Sequence, residues 1–181
     1  MATTAAPNPP WAELVQLVPI VTLALPFIVA GKIDFERAGT ALLVAALLTV
    51  PASALVLAKG RVLNPILVGT ALWLWLAAAA FRAPAPGVVA VLSDAQGAGL
   101  FGGVLAVGLV STFASPQGFV GCRHPDRAWL LRASLFLLAL SAVALAWSWV
   151  FRQNIRLGGG LPFIVLNVAR RMLVLRAPKP A

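Results

Sequence analysis

Apolar residues fill this chain in long blocks rather than in alternation. Five stretches, 14–31, 38–58, 62–81, 95–122 and 133–151, run 18 residues or more without an Asp, Glu, Lys or Arg. A helix rises about 1.5 Å per residue, so each stretch reaches across a hydrocarbon core of about 30 Å. The pattern predicts an all-α, polytopic membrane protein, a helical bundle of five transmembrane helices. Its spans fall at about 12–31, 38–58, 64–82, 96–114 and 128–151, in a single transmembrane domain covering 1–181.

A further C-terminal segment, 161–176, is less simple. Its uncharged run, 157–169, has 13 residues, about 20 Å as a helix and short of the core. Arg170 and Arg171 then interrupt it. On a helix Asn167, Arg170 and Arg171 share one face, while Leu161, Ile164, Val165, Val168, Met172 and Leu175 gather on another. That amphipathy predicts a helix lying in the interface, with Arg170 and Arg171 toward lipid headgroups. Gly158-Gly159-Gly160 would be the hinge that frees it from the fifth span. A sixth span is the alternative, set back by the cost of two arginines in the core.

Within the spans, small and kinking residues carry the information. Pro19 and Pro26 fall on one face of the first span and bend it there. Pro51, flanked by Thr49 and Ser53, relies on hydroxyls and neighbouring helices for the backbone groups it frees. Trp73 and Trp75 point roughly 200° apart around the third span, which argues for packing bulk rather than one binding face. Residues 83–97 read as a loop or a short interfacial segment. Gly99 and Gly103 then form a GxxxG pair, extended by Ala98, Gly102 and Ala106, and small residues at this spacing let helices approach closely. Ser134, Ser141 and Ser148 recur every seven residues as a narrow seam for another helix.

Composition sharpens this picture. The chain is 61% hydrophobic and 10% charged, against about 25% charged in a soluble domain. The net charge of +9 would suggest nucleic acid in a soluble protein, but the basic residues sit at helix ends and in loops without a stripe or motif. Five of the 14 basic residues, Lys59, Arg61, Arg123, Arg127 and Arg132, lie on the N-terminal side if there are five spans, and nine lie opposite. With six spans the tail residues change sides, giving nine against five. Both counts put the C-terminal tail on the more positive side, which is cytoplasmic. The first ten residues lack the positive n-region of a secretory signal, so the first hydrophobic segment reads as an uncleaved span.

Candidate chemistry is sparse. Gly97-Ala98-Gly99-Leu100-Phe101-Gly102 matches GxGxxG, yet position 122 is Cys122 where a dinucleotide site needs an acid, and no βαβ unit can be drawn. Cys122, His124 and Asp126 alternate in the most polar loop, but they are the only Cys, the only His and one of five acids. Catalytic groups normally converge from separate segments, so the loop reads as structural. No acid falls in the middle of a span, where coupled transporters keep carboxylates; Asp94 reads as a cap before a helix. The sequence thus assigns no catalytic, cofactor or metal residue. It offers Gly99, Gly102, Gly103, Ser134, Ser141 and Ser148 for helix packing, and Arg170 and Arg171 for lipid headgroups.

What remains is an expected non-enzymatic assembly, scaffold or envelope-maintenance subunit. Its expected partners are membrane lipids and other membrane proteins or further copies of itself, and not nucleic acid. The alternative is a small oligomeric transporter or channel using the proline-broken helices. Ala/Leu/Arg-rich usage points to a bacterial inner membrane. In length and five-span outline the chain resembles the bacterial septation protein A group of small inner-membrane proteins.

Overall fold

A computed structural model describes residues 9–30, 35–83, 86–95, 97–152, 154 and 156–178. Every regular element among them is helical: α1 (Pro10–Ala30), α2 (Phe35–Ala58), α3 (Pro65–Arg82), α4 (Pro86–Ala95), α5 (Gly97–Ala114), α6 (Arg127–Val150) and α7 (Leu161–Leu175), with a π-helical turn over Arg156–Gly160. The expected span limits Gly31 and Gln96 lie outside the described residues. So do the linker residues Lys32, Ile33 and Asp34 and the side chain of Pro26.

Five segments are long and apolar enough to cross a membrane: Gly39–Ala58, Pro65–Arg82, Gly97–Ala114, Arg127–Val150 and Arg156–Leu175. The helix of α1 has 21 residues, of which Pro10–Leu23 is described as apolar. The α4 helix, of 10 residues, reaches only about 15 Å and cannot cross.

The helices divide into two compact units that share α3. Asn8–Leu63 with Ala71–Asp94 form one, and Asn64–Thr70 with Ala95–Ala181 belong to the other. In the first unit α1 packs along α2. A core of Leu42, Ala45, Ala46, Leu74, Ala77 and Ala78 lies between α2 and α3, with Trp73 and Leu23 against it. Alanine at these contacts lets the helix backbones come close, which is what packing against lipid-solvated helices requires. Trp75 is 40% exposed and donates from Nε1 to Thr49 Oγ1 on α2 at 3.1 Å. Thr49 in turn donates to the Ala46 carbonyl at 2.6 Å, so its hydroxyl does not serve Leu47, the carbonyl that Pro51 frees.

In the second unit α5 and α6 form the main helix pair, and α7 packs back along α6. Phe101, Val104, Phe119, Leu130, Leu137 and Leu166 fill its centre. Asp126 caps α6, its carboxylate accepting from the Ala128 and Trp129 amides at 2.9 and 3.0 Å, which settles two of the four orphan donors of a helix start. Arg127 reaches from that start to the Ser115 carbonyl, just past the end of α5, at 3.1 Å.

The glycine run before the C-terminal helix is packed rather than a free hinge. Gly158 is buried, and a Cβ there would stand 2.6 Å from the Phe151 carbonyl oxygen. The glycine run therefore closes a tight turn against the end of α6. At the other end of α7, the Pro178 carbonyl lies 2.8 Å from His124, just before α6 begins. α7 thus returns along the whole length of α6, and Arg156–Leu175, at 20 residues, spans about 30 Å. If α6 crosses the bilayer, α7 crosses the same thickness.

Candidate functional site

A group of buried and half-buried polar side chains lies at the loop end of the second unit. The start of α3, the loop between α5 and α6, and the last turns of α7 meet there. Asn64 precedes Pro65, and its Oδ1 accepts from the Ile66 amide at 3.1 Å, starting α3. Its Nδ2 donates to Asn167 Oδ1 at 3.1 Å, and Asn167 donates back to the Phe163 carbonyl at 2.9 Å. One α7 turn on, Arg170 is 3% exposed and donates from Nη1 to the Val120 carbonyl at 3.2 Å.

The expected headgroup pair is therefore split. Arg171 is exposed, as an arginine reaching for phosphate must be, but Arg170 turns inward onto the loop. The reason is angular: neighbouring residues on a helix stand about 100° apart, so packing one against α6 and the loop releases the other to the outside. This also removes the cost that counted against a sixth span. Arg170 is surrounded by protein, and Arg171 lies four residues from the end of α7, within reach of the interface by snorkelling.

The loop itself is held by glycine. Gly118 has φ +60°, and a Cβ there would stand 2.5 Å from Ser134 Oγ. Ser134 meanwhile accepts from the Phe119 amide at 2.9 Å. Cys122, His124 and Asp126 do not converge. Asp126 Oδ1 is turned to the amides of α6. His124 Nδ1 accepts from the Asp126 amide at 3.1 Å, which leaves Nε2 to donate to the Pro178 carbonyl, and the ring lies tilted against Trp129 with centroids 4.6 Å apart. Burial pushes the Cys122 thiol above its ordinary pKa, and the nearby Arg170 charge pulls part of the way back. A thiol so placed is a poor nucleophile. Among the described residues no three of His, Cys, Asp and Glu gather as a metal-binding group.

The serine seam is buried throughout: Ser134, Ser141 and Ser148 are all 0% exposed. Ser134 serves the loop, Ser141 donates to its own Leu137 carbonyl at 2.8 Å, and the Ser148 hydroxyl has no partner. A Cβ on Gly97 would come within 3.3 Å of Ser148 Oγ, so the seam packs against the start of α5. Thr70 and Thr112 also bond to their own helices, at 3.0 and 2.7 Å.

The glycine pattern is redistributed. A Cβ on Gly102 would meet nothing within 4 Å, so Gly102 is not at a helix contact here. A close backbone approach comes from Gly69 on α3, where a Cβ would stand 2.5 Å from Val104 Cα and 2.8 Å from the Gly103 carbonyl oxygen. Gly103 is therefore at a close contact, through its backbone, and its partner is Gly69. Sequence reasoning missed Gly69, although a lone glycine inside an apolar helix is the usual sign of a close backbone approach. It also missed Gly108, where a Cβ would come within 2.9 Å of the Phe119 ring, and the cap that Asn64 supplies. No protein family, curated protein or solved structure matches this chain.

Proposed function

We propose that the chain is a non-enzymatic, multi-pass protein of a bacterial inner membrane, with its C-terminus in the cytoplasm, acting as an assembly, scaffold or envelope-maintenance subunit through helix–helix contacts. The supporting observation is how the buried polar groups are used. The hydroxyls of Thr70, Thr112 and Ser141 return to carbonyls of their own helices, and Asn64, Asn167 and Arg170 tie α3, α7 and the loop together. Polar groups spent in this way fix helices rather than line a path for a solute.

The test is crosslinking and mild-detergent purification from native membranes, run beside solute flux in liposomes holding the protein alone. A stable partner or a defined homo-oligomer, with silent liposomes, is the expected result. Flux through the protein alone would replace this reading with the small oligomeric transporter or channel.

A further inference from the structure

We propose that the loop end of the second unit is a binding rim for anionic phospholipid, with Arg132 and Arg171 as its inner pair. The inference rests on α6 and α7 crossing the bilayer and is independent of the scaffold reading. Because α7 runs antiparallel to α6, the start of one and the end of the other share this end. Arg123, Arg127, Arg132, Arg171 and Arg176 are exposed there. The carboxylate of the loop, Asp126, is turned to the amides of Ala128 and Trp129. Arg127 is engaged with the Ser115 carbonyl. The other four arginines find no carboxylate among the described residues.

The arginines stand in two tiers. Arg123, Arg127 and Arg176 lie in the loop or at helix ends, at the level of the water. Arg132 is the sixth residue of α6, and Arg171 stands four residues before the last of α7. At about 1.5 Å per residue each is set roughly 6–8 Å toward the bilayer. An exposed cation at that depth, flanked by exposed Leu131, Leu135, Val168 and Met172, meets lipid and must draw its counter-charge from lipid. The guanidinium fork pairs with phosphate oxygens two at a time. A zwitterionic headgroup brings its own cation to the rim and an anionic one does not, so the excess positive charge selects anionic phospholipid. At the opposite end Arg152 lies 5.1 Å over the Trp149 ring, an internal partner that the inner pair lacks among the described residues.

The experiment measures lipid binding to the full purified chain in neutral detergent, by native mass spectrometry and by the shift in thermal unfolding. The probes are phosphatidylglycerol, phosphatidylcholine and inorganic phosphate. Wild type is expected to hold phosphatidylglycerol roughly tenfold more tightly than phosphatidylcholine, with the preference shrinking at high salt. Arg132→Gln with Arg171→Gln should abolish the preference, and Arg156→Gln, at the other end, should keep it. Equal binding of the two lipids by wild type overturns the proposal without reference to any variant. So does a preference that survives the double substitution or disappears equally in Arg156→Gln. Displacement of phosphatidylglycerol by millimolar inorganic phosphate would also overturn it, by assigning the arginines to a soluble anion.

Discussion

Arg170 donates from Nη1 to the carbonyl oxygen of Val120, 3.2 Å away and 50 positions earlier in the chain. The bond fastens the last helix to the loop between α5 and α6 and keeps a guanidinium inside the protein, beside a neighbour, Arg171, that faces out. Arg170→Ala leaves the Val120 carbonyl without this donor and should cost about 1.5–3 kcal/mol, the range for a hydrogen bond to a charged group. Arg171→Ala should stay within about 0.5 kcal/mol, as surface substitutions do. Thermal unfolding in detergent compares them, and equal losses would mean that the two arginines share one environment.

Gly69 and Gly102 should respond in opposite ways to the same added methyl. Gly69→Ala drives a Cβ into the backbone at Val104, and overpacking of this kind costs about 1–3 kcal/mol. Gly102→Ala enters open space and, by helix propensity, is neutral or stabilising by up to about 1 kcal/mol. Unfolding of the two variants under one condition decides the matter; a costly Gly102→Ala beside a harmless Gly69→Ala would place Gly102, and not Gly69, at the close contact.

Cys122 should alkylate slowly near neutral pH and faster as pH rises, since burial holds its thiol protonated. Arg170→Gln removes the positive charge that partly offsets this and should slow the reaction further. The sign for stability follows from the same shift. As pH climbs past the ordinary thiol value, the unfolded chain releases the proton first and binds fewer than the folded one, so stability falls with rising pH. Maleimide labelling of the native chain across the thiol range reads the reactivity, and Cys122→Ser should remove the slope in melting temperature over the same range.

Reporters fused to the two ends should read the same compartment. An α7 that returns the length of α6 gives six crossings once α1 is counted, and an even number brings the termini together. Reporters active only in the periplasm or only in the cytoplasm distinguish the cases. Opposite compartments would return α7 to the interface.

Much of the helical layout was legible in the hydropathy. The expected limits 38–58, 64–82 and 128–151 lie within three residues of α2, α3 and α6, because a segment that must satisfy its backbone in lipid leaves an uninterrupted apolar record. The destination of α7 was not legible. Amphipathy says that Asn167 and Arg170 face something polar, but the polar thing is Asn64 and the Val120 carbonyl, and neither is local in sequence. The glycine motif had the same weakness. Spacing shows that Gly99, Gly102 and Gly103 make a face narrow enough for a close contact; which side is covered depends on where α3 presents Gly69.

The polar partners of α7 also impose an order of assembly. Synthesis delivers α3, then the α5–α6 loop, and only then Asn167 and Arg170, so the docking positions exist before the helix that needs them. Entering the bilayer alone, α7 would expose an amide and a guanidinium to hydrocarbon; entering beside a finished α6, it finds the Asn64 side chain and the Val120 carbonyl already in place. The final helix is thus a client of the chain's own earlier segments, and a nascent protein stopped short of residue 170 lacks the guanidinium that closes onto Val120.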